Sequence, residues 1–433
     1  MREFFEGSFG DRISRRKTMI NRRNFLFTSG AILGGMSVRP ASPAPRPAVS
    51  DLGQRVLDPE SFDPWVEIVA EAIRNNVREI RRFTGRSLLA VIKNNANGIG
   101  LRQIGPILEA LDDVHSLAVA RVDEALDLRA VGVKKPVLIM AHVSEREALE
   151  LARNDIRLTL FHDNALRQVE RLAASLNRPI PVHLKIDTGM NRIGMRFERA
   201  LPWIEELAAS KAVKIEGIYT MFSGGKSDEG RQADIIHLRR FLDIIKQVRE
   251  KGISPGLLHG APSIQVVNVP ETHQLDLIRP GGAIYGLDGY RTNAAGEPIM
   301  NILPVFRLRA RIVRVEKLKE GDGVSFDHRY IAAKPTWTAT IPVGHTDGYP
   351  RDAPGKSSVL IGNAVYPVIA VVSSNHTIVE IGDEKKVEVG DIATLVGPDH
   401  PDITPIAVAT QSGLVRDYWI MTKLSALLHR RVV

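Results

Sequence analysis

Between residues 85 and 280, short apolar runs of strand length alternate with longer segments whose apolar residues recur every three or four positions. The short runs predict eight strands, two of them weakly marked, at residues 88–93, 116–120, 136–140, 158–161, 182–187, 217–222, 257–259 and 275–279. The longer segments predict helices, for example at residues 145–154, 165–176, 200–209 and 233–251. This alternation favours an α/β fold of the TIM-like (β/α)8 barrel type over a doubly wound sheet.

After about residue 300 the pattern changes to β-branched runs separated by glycine, aspartate and asparagine turns. These runs lie at residues 306–318, 338–343, 358–361, 365–372, 377–381 and 392–396, and helical periodicity returns only near the end. The pattern predicts a mostly antiparallel β domain at the C-terminus. We assign residues 49–296 to the barrel and residues 297–433 to the C-terminal β domain.

The net charge of +8 at pH 7 is concentrated at the start of the chain. Residues 1–48 hold nine basic and three acidic side chains, a net charge of +6, which leaves +2 for the remaining residues. Because no basic stripe remains outside this segment, a nucleic-acid partner is disfavoured. Arg22 and Arg23 precede a short apolar stretch, which resembles a bacterial twin-arginine (Tat) export signal.

We therefore expect residues 1–48 to be an export signal and linker, and the protein to be periplasmic or otherwise exported; a disordered basic tail is the alternative. The apolar stretch is too short to span a bilayer as a stable helix, so we expect no stable membrane insertion after export. The chain contains no cysteine, so it relies on no disulfide in an oxidising compartment.

Lys93 ends an apolar run and is followed by an asparagine-rich segment and Gly98. A buried strand that ends in a lysine and breaks into a glycine turn places an amine at the partly dry rim of a sheet or barrel, as a Schiff-base lysine requires. Taken alone, a strand-end lysine more often reaches into solvent. In a barrel, however, chemistry belongs at the carboxyl ends of the strands, where Lys93, Met221 and Arg279 all fall.

Four segments share a more specific pattern. They are residues 90–93 (Ala-Val-Ile-Lys), 182–194 (Val-His-Leu-Lys-Ile-Asp-Thr-Gly-Met-Asn-Arg-Ile-Gly), 278–286 (Ile-Arg-Pro-Gly-Gly-Ala-Ile-Tyr-Gly) and 342–350 (Pro-Val-Gly-His-Thr-Asp-Gly-Tyr-Pro). Together they resemble the motifs of the alanine racemase family of fold-type III pyridoxal-phosphate enzymes, from about residue 60 to the end of the chain. The resemblance implies pyridoxal 5'-phosphate as the cofactor and a small amino acid as the substrate.

The resemblance implies catalytic roles for three basic residues. Lys93 would hold the cofactor covalently and act as a base once substrate displaces it. Arg279 would face the pyridine nitrogen and keep it unprotonated, and Arg192 would bond the phenolic oxygen and help to bind the substrate carboxylate. Lys185 matches a lysine that is carbamylated in some members, and Ser374 stands at the family's substrate gate. We expect no metal ion in the site.

A second group of residues is expected at the cofactor phosphate. Ser263 and the backbone amides of Gly281 and Gly282 would receive the phosphate, since glycines permit its close approach. Asn97 and His345 stand where the family has tyrosines and can still donate hydrogen bonds to phosphate. Each residue also has a structural explanation, such as an ion pair, a turn or a helix cap, but the combination favours a cofactor site.

Two replacements remove a proton-handling pair that the family uses. Racemisation of this type needs two bases on opposite faces of the reacting carbon: the cofactor lysine and a tyrosine from the partner subunit's β domain. Phe326 stands in place of that tyrosine and cannot exchange a proton, and Met221 stands in place of the histidine that supports it. His328 and Tyr330 are the candidates for a substitute second base.

We therefore predict a pyridoxal-phosphate-dependent isomerase of D-amino-acid metabolism that interconverts L- and D-alanine or another small amino acid at an atypical active site. Two alternatives stay open. One is a one-base enzyme in which Lys93 alone moves the proton in exchange or elimination; the other is an exported, non-catalytic relative that binds the cofactor or an amino acid. Because the family completes each site with the partner's β domain, we expect a head-to-tail homodimer.

Overall fold

The computed structural model describes residues 58, 60–293, 296–414, 416 and 418–433. The expected export segment at residues 1–48 lies outside the described residues. The described residues form a parallel barrel and a mostly antiparallel sheet. In these ranges no helix combines the length and the apolar character that a membrane crossing needs.

Eight parallel strands close into the predicted barrel. Strand β1 (Trp65–Ile68) comes before the barrel in the chain. The eight barrel strands are β2 (Ser87–Val91), β3 (Val114–Val119), β4 (Val137–Ile139), β5 (Ile156–Leu160), β6 (Ile180–Asp187), β8 (Val213–Tyr219), β9 (Leu257–Pro262) and β10 (Leu277–Arg279). The short strand β7 (Met195–Arg196) pairs with β6. Pairing of β5 with β6, with Leu158 opposite Val182, closes the ring. The barrel strands carry a small separate cluster of buried residues, Leu89, Ala118, Leu138, Tyr219 and Leu277, as expected when alternate side chains point inward.

Helices lie between the barrel strands and in the C-terminal region. Their bounds are α1 (Ala70–Thr84), α2 (Lys93–Asn97), α3 (Leu101–Glu109), α4 (Val122–Ala130), α5 (Glu145–Arg153), α6 (Ala165–Leu176), α7 (Phe197–Ala209), α8 (Asp228–Glu250), α9 (Ser263–Asn268), α10 (Pro405–Gln411) and α11 (Tyr418–Thr422). Helix α6 buries Ala165, Val169 and Leu172, the three- and four-residue spacing that the apolar pattern predicts. Helix α5 begins with a capping box, in which Ser144 and Glu147 bond each other's backbone N–H.

The second sheet contains most strands after residue 305. Its bounds are β11 (Phe306–Arg311), β12 (Arg314–Leu318), β15 (Thr336–Ile341), β16 (Ser358–Ile361), β17 (Ala364–Ile369), β18 (Thr377–Gly382), β19 (Ile392–Val396) and β20 (His429–Val432), and β13 (Gly323–Val324) pairs with β14 (Tyr330–Ile331) as a separate hairpin. Strand β1 joins this sheet rather than the barrel: it pairs antiparallel with β11 and parallel with β20. The sequence did not predict β1 or β20, because β1 is buried throughout and β20 is mostly polar, so neither alternates clearly.

The direction of the strands positions the site. Because all eight barrel strands are parallel, the side chains that follow them meet at one end of the barrel. Lys93 follows β2, Ser263 follows β9 and Arg279 ends β10, while Arg192 lies on the loop after β6. The candidate chemistry therefore gathers at the carboxyl end.

Candidate active site

A cavity of about 530 Å³ lies at the carboxyl ends of the barrel strands. Seven residues predicted from the sequence line it: Lys93, Asn97, Arg192, Ser263, Arg279, Gly281 and Gly282. Lys185 contributes a further cation, and among the described residues that line the cavity there is no aspartate or glutamate. Such a positive wall suits a ligand that carries phosphate and carboxylate groups.

Lys93 is half-buried and stands at the start of a left-handed turn. The backbone φ angles of Asn94, Asn95, Ala96 and Asn97 are 58°, 53°, 52° and 54°. Asparagine tolerates this conformation better than most residues, which explains the asparagine-rich segment that the sequence shows here. The turn also brings Asn97 to the cavity wall beside Lys93.

Arg279 is buried, with 4% of its surface exposed. One guanidinium nitrogen, Nη2, lies 2.9 Å from the Met221 sulfur, and the guanidinium stacks 4.8 Å from the centre of the Tyr219 ring. Its Nε and Nη1 have no hydrogen-bond partner among the described residues. Buried donors without an acceptor are destabilising by about 1–3 kcal/mol each, so this arginine fits a site completed by an acceptor such as a pyridine nitrogen.

Lys185 and Arg192 approach the cavity from β6 and the loop that follows it. Burial, with the charges of Arg279 and Arg192 nearby, lowers the pKa of Lys185 to about 8. The loop that carries Arg192 is held by the Asp187 carboxylate, whose Oδ1 accepts hydrogen bonds of 3.0 Å from the backbone N–H groups of Gly189 and Asn191. Arg192 itself is exposed, so its guanidinium is available to a carboxylate entering from solvent.

The expected phosphate site is assembled as a polar corner of the cavity. Ser263 Oγ accepts hydrogen bonds from the backbone N–H of Gly281 at 3.0 Å and of Ala283 at 3.1 Å. A Cβ on Gly282 would lie 2.7 Å from the Tyr290 ring, so a larger residue there would force that ring to shift. The hydroxyl and backbone N–H groups suit a phosphate, and the residues present therefore fit pyridoxal phosphate at both of its polar ends.

Sequence reasoning missed a buried carboxylate behind this corner. Asp234, on α8, is fully buried; its Oδ1 accepts from the backbone N–H groups of Ser223 and Gly224, and its Oδ2 accepts from Gln265 Nε2 at 2.6 Å. Gln265 Nε2 also donates to the Gly224 carbonyl. This network ties the loop after Met221 to helix α9, and the helical periodicity around Asp234 carried no signal of it.

A column of rings under Arg279 was also missed. Tyr219 stacks on His259 with ring centres 4.6 Å apart, and His259 Nε2 lies 2.8 Å from His183 Nδ1. Burial lowers the pKa of His183 to about 4 and that of His259 well below its ordinary value, so both rings are neutral at pH 7. Arg279 therefore rests on an uncharged support. His183 lies within the predicted 182–194 motif, but only the tertiary structure pairs it with His259.

The remaining predicted residues lie in the β domain, outside the lining of this cavity. His345 N–H donates to the Ser373 carbonyl at 2.9 Å, and Thr346 N–H donates to the Ser374 carbonyl at 3.2 Å, so His345 and Ser374 are neighbours. Neither residue is among those that line the cavity with Lys93. Their assigned roles stay predictions that require a second subunit.

Phe326 and the two proposed substitutes for the second base form another group. Phe326 lies in the turn of the β13–β14 hairpin with 69% of its surface exposed, and with Tyr330 it lines a separate cleft of about 720 Å³. Burial and a hydrogen bond with Glu380 raise the pKa of Tyr330 to about 12. His328 is exposed on the same hairpin. None of the three lines the cavity that contains Lys93 in its own subunit.

Two family models match this chain. The one described as alanine racemase, N-terminal domain, matches residues 68–289, and the one described as alanine racemase, C-terminal domain, matches residues 305–432. The alanine racemase of Desulforamulus reducens is 34% identical over 347 residues, which cover 79% of this chain and 92% of the relative. The alanine racemase of Methanococcus maripaludis is 31% identical over 339 residues, which cover 77% and 89%.

Solved structures agree. The alanine racemase from D-cycloserine-producing Streptomyces lavendulae has a TM-score of 0.74 at 28% identity, with 86% of this chain and 97% of that chain covered. The alanine racemase of Clostridium difficile 630 has a TM-score of 0.77 at 25% identity, with coverage of 86% and 96%. A histidine racemase from Leuconostoc mesenteroides has a TM-score of 0.78 at 23% identity, with coverage of 87% and 99%, and this likeness concerns the fold alone.

Proposed function

Because the chain belongs to the alanine racemase family, we propose that it uses pyridoxal 5'-phosphate to interconvert the L and D forms of a small amino acid, with alanine as the first candidate. One observation carries this proposal. Lys93, Arg279 and the Ser263 corner line a single cavity, in which Arg279 presents buried donors that lack an acceptor.

The side chains divide the work of binding. When bound, pyridoxal phosphate draws electrons from the Cα of the amino acid, which makes the Cα proton removable. Lys93 Nζ would hold the cofactor covalently, the Ser263 hydroxyl and the backbone N–H of Gly282 would hold the phosphate, and Arg279 would hold the ring nitrogen. Arg192, exposed at the rim, would orient the substrate carboxylate.

Proton transfer is the incomplete part of this site. Lys93 Nζ can take the Cα proton on one face of the substrate, but racemisation needs a second group on the other face. Phe326 supplies none. The Tyr330 hydroxyl is already engaged by Glu380 of its own subunit, and burial and this hydrogen bond raise the pKa of Tyr330 to about 12. Of the two predicted substitutes, the exposed imidazole of His328, brought by a partner subunit, is therefore the one that remains.

One observation favours a second candidate function. Met221 places a thioether beside Arg279, and Phe326 has no titratable group, so both members of the family's proton-handling pair are replaced by groups that carry no transferable proton. A one-base enzyme, in which Lys93 both removes and returns the proton on one face, follows from this arrangement. It would catalyse Cα exchange or elimination with little racemisation. A non-catalytic binding protein would retain the cofactor and lack both activities.

The first test concerns attachment of the cofactor. Purified protein incubated with pyridoxal phosphate should develop the visible absorbance of a lysine-bound cofactor, and borohydride should fix the group at Lys93. Lys93→Ala should lose the band, whereas the exposed Lys211→Ala should keep it. Absence of the band in the unaltered protein would contradict both the racemase and the one-base enzyme hypotheses.

The second test distinguishes a racemase from a one-base enzyme and from a non-catalytic binding protein. In heavy water, a racemase should exchange the Cα proton and lose optical rotation together, whereas a one-base enzyme should exchange without loss of rotation. If the missing tyrosine is the only defect, Phe326→Tyr should raise racemisation relative to exchange. Exchange in neither protein, despite bound cofactor, would leave the binding-protein reading.

We also propose export and a head-to-tail dimer. The twin-arginine pattern at Arg22 and Arg23 supports export, which would suit supply or removal of D-amino acids at the cell wall. Fusing residues 1–48 to a folded reporter should send the reporter across the membrane, and replacing both arginines with lysine should keep it inside. Export of the double-lysine fusion at the same level would contradict the assignment.

A further inference from the structure

Arg430, on the C-terminal strand β20, reaches from the β domain to the segment that follows Lys93. Its Nε donates to the Ile99 carbonyl and its Nη2 to the Gly98 carbonyl, each at 2.9 Å. The same guanidinium bonds the carbonyls of its own segment at Ser425 (3.0 Å), Leu428 (2.5 Å) and Ala426 (3.3 Å). Burial lowers the pKa of Arg430 to about 10, and no carboxylate of the described residues pairs with it.

The contact between the two segments is tight. A Cβ on Gly98 would lie 2.0 Å from the Met421 carbonyl oxygen, and a Cβ on Gly100 would lie 2.7 Å from Arg430 Cδ. Both glycines have positive φ, at 93° and 133°. The C-terminal segment, through Met421 and Arg430, therefore packs directly against the end of the left-handed turn.

The other side of the turn is held as well. Glu124, buried on α4, accepts a hydrogen bond of 2.9 Å from the backbone N–H of Asn95, and Asn95 Oδ1 accepts from the backbone N–H of Leu101 at 2.8 Å. Residues in the left-handed region are unfavourable unless the surroundings impose them, and here four follow one another. Glu124 fixes the start of the turn, and Arg430 fixes its end.

We propose that Arg430 is a positioning residue for Lys93, acting through the turn at residues 94–98 so that the β domain sets the reach of the lysine into the cavity. The proposal rests on the proposed function, in which Lys93 binds the cofactor. Arginine suits the role because its planar fork bonds carbonyls of both segments at once, which the single ammonium of lysine cannot reproduce. Loss of the fork leaves the Gly98 and Ile99 carbonyls without these donors and lets the turn relax.

The test uses full-length protein carrying Arg430→Lys or Arg430→Gln, with two controls. Arg431→Gln alters the exposed neighbouring arginine, and Ile244→Val removes one buried methylene from α8, remote from the turn in sequence, to show the effect of lost stability alone. The first measurement is amide hydrogen exchange of residues 93–101 without cofactor. The second is the yield of borohydride-fixed cofactor at Lys93, and the third is the pH dependence of the cofactor absorbance.

We expect both Arg430 variants to exchange the Gly98, Gly100 and Leu101 amides about tenfold or more faster than the unaltered protein, and both controls to leave them unchanged. The fixed yield and the pH profile should shift in the same two variants only. Unchanged exchange in Arg430→Gln, or equal changes in Ile244→Val, would overturn the proposal. Since exchange is measured without cofactor, failure of the proposed function would leave this result intact.

Discussion

Four cationic side chains, Lys93, Lys185, Arg192 and Arg279, line one cavity whose described lining has no carboxylate. Each charge raises the free energy of the others, because like charges in a partly buried site disfavour one another. This electrostatic repulsion is reduced by neutral partners around the four cations, by deprotonation of Lys185, or by binding of an anionic ligand. Substituting one of these cations by a neutral residue should therefore change the free energy of unfolding.

Lys185→Met should stabilise the protein at pH 7, and the gain should shrink as the pH rises. The pKa of Lys185 is about 8 in the folded protein against 10.5 as the ordinary value. The folded state thus binds this proton less tightly, so stability is lowered in full below pH 8 and recovers towards pH 10.5. Removing the charge should raise the free energy of unfolding at pH 7 by ~3 kcal/mol.

Urea unfolding at pH 7 and pH 9.5 checks this prediction. The exposed Lys211→Met serves as the control and should change little at either pH. A gain from Lys185→Met that is the same at both values would mean that packing, and not the charge, is responsible.

Gly282→Ala should weaken cofactor binding about tenfold, because the added Cβ would lie 2.7 Å from the Tyr290 ring beside the phosphate corner. Gly281→Ala should have a smaller effect, since its Cβ would meet the Val91 carbonyl oxygen at 3.4 Å. Gly225→Ala, with nothing within 4 Å, is the control. Titration of the visible absorbance with cofactor measures all three, and equal affinities would contradict the packing argument.

Among the elements, α8 and α9 act as a unit through Asp234. Asp234→Asn should lower the free energy of unfolding by about 1–3 kcal/mol, because an amide would place a second NH2 group against Gln265 Nε2. Cofactor affinity should fall too, since the loop at residues 221–224 and α9 both line the cavity. Chemical unfolding and cofactor titration measure the two effects.

Asp243→Asn, on the exposed face of the same helix, is the matched control. It should leave both stability and cofactor affinity close to those of the unaltered protein. If Asp234→Asn behaved in the same way, the buried network would have no part in holding α9.

Across the whole molecule, the exposed hairpin of the β domain is the expected contact with a second copy. Phe326 and Ile331, with 69% and 61% of their surfaces exposed, would be covered by a partner's barrel in a head-to-tail dimer. Phe326→Asp should shift the mass in solution from twice 47.8 kDa towards the monomer and reduce activity. Light scattering after size exclusion measures the mass.

Val389→Asp replaces another exposed apolar residue of the same domain and should leave the mass unchanged. A monomeric unaltered protein that retains full racemisation would contradict the dimer. In that case, the second face of the substrate would have to be served within one subunit.

Several parts of this molecule could be predicted from local pattern. All eight barrel strands were confirmed, because a strand buried in a parallel barrel is a short apolar run that needs no partner to be recognised. Helix α6 matches its predicted bounds to the residue, whereas α8 begins five residues earlier than predicted, at Asp228. Its start is set by Ser227, whose side chain caps the helix, and the apolar periodicity carries no mark of that cap.

The candidate active site likewise has a part that could be predicted from the sequence and a part that could not. The sequence by itself placed Lys93 and Arg279 together, because both follow strands whose carboxyl ends meet at one end of a barrel, and the family resemblance added Ser263 to them. Only the tertiary structure decided which contacts support them. These are the Asp234 hydrogen bonds, the stacked rings beneath Arg279 and the hydrogen bonds from Arg430 to the turn that follows Lys93. These contacts join residues as far as 332 positions apart, and such pairings depend on how the elements pack, which no local pattern encodes.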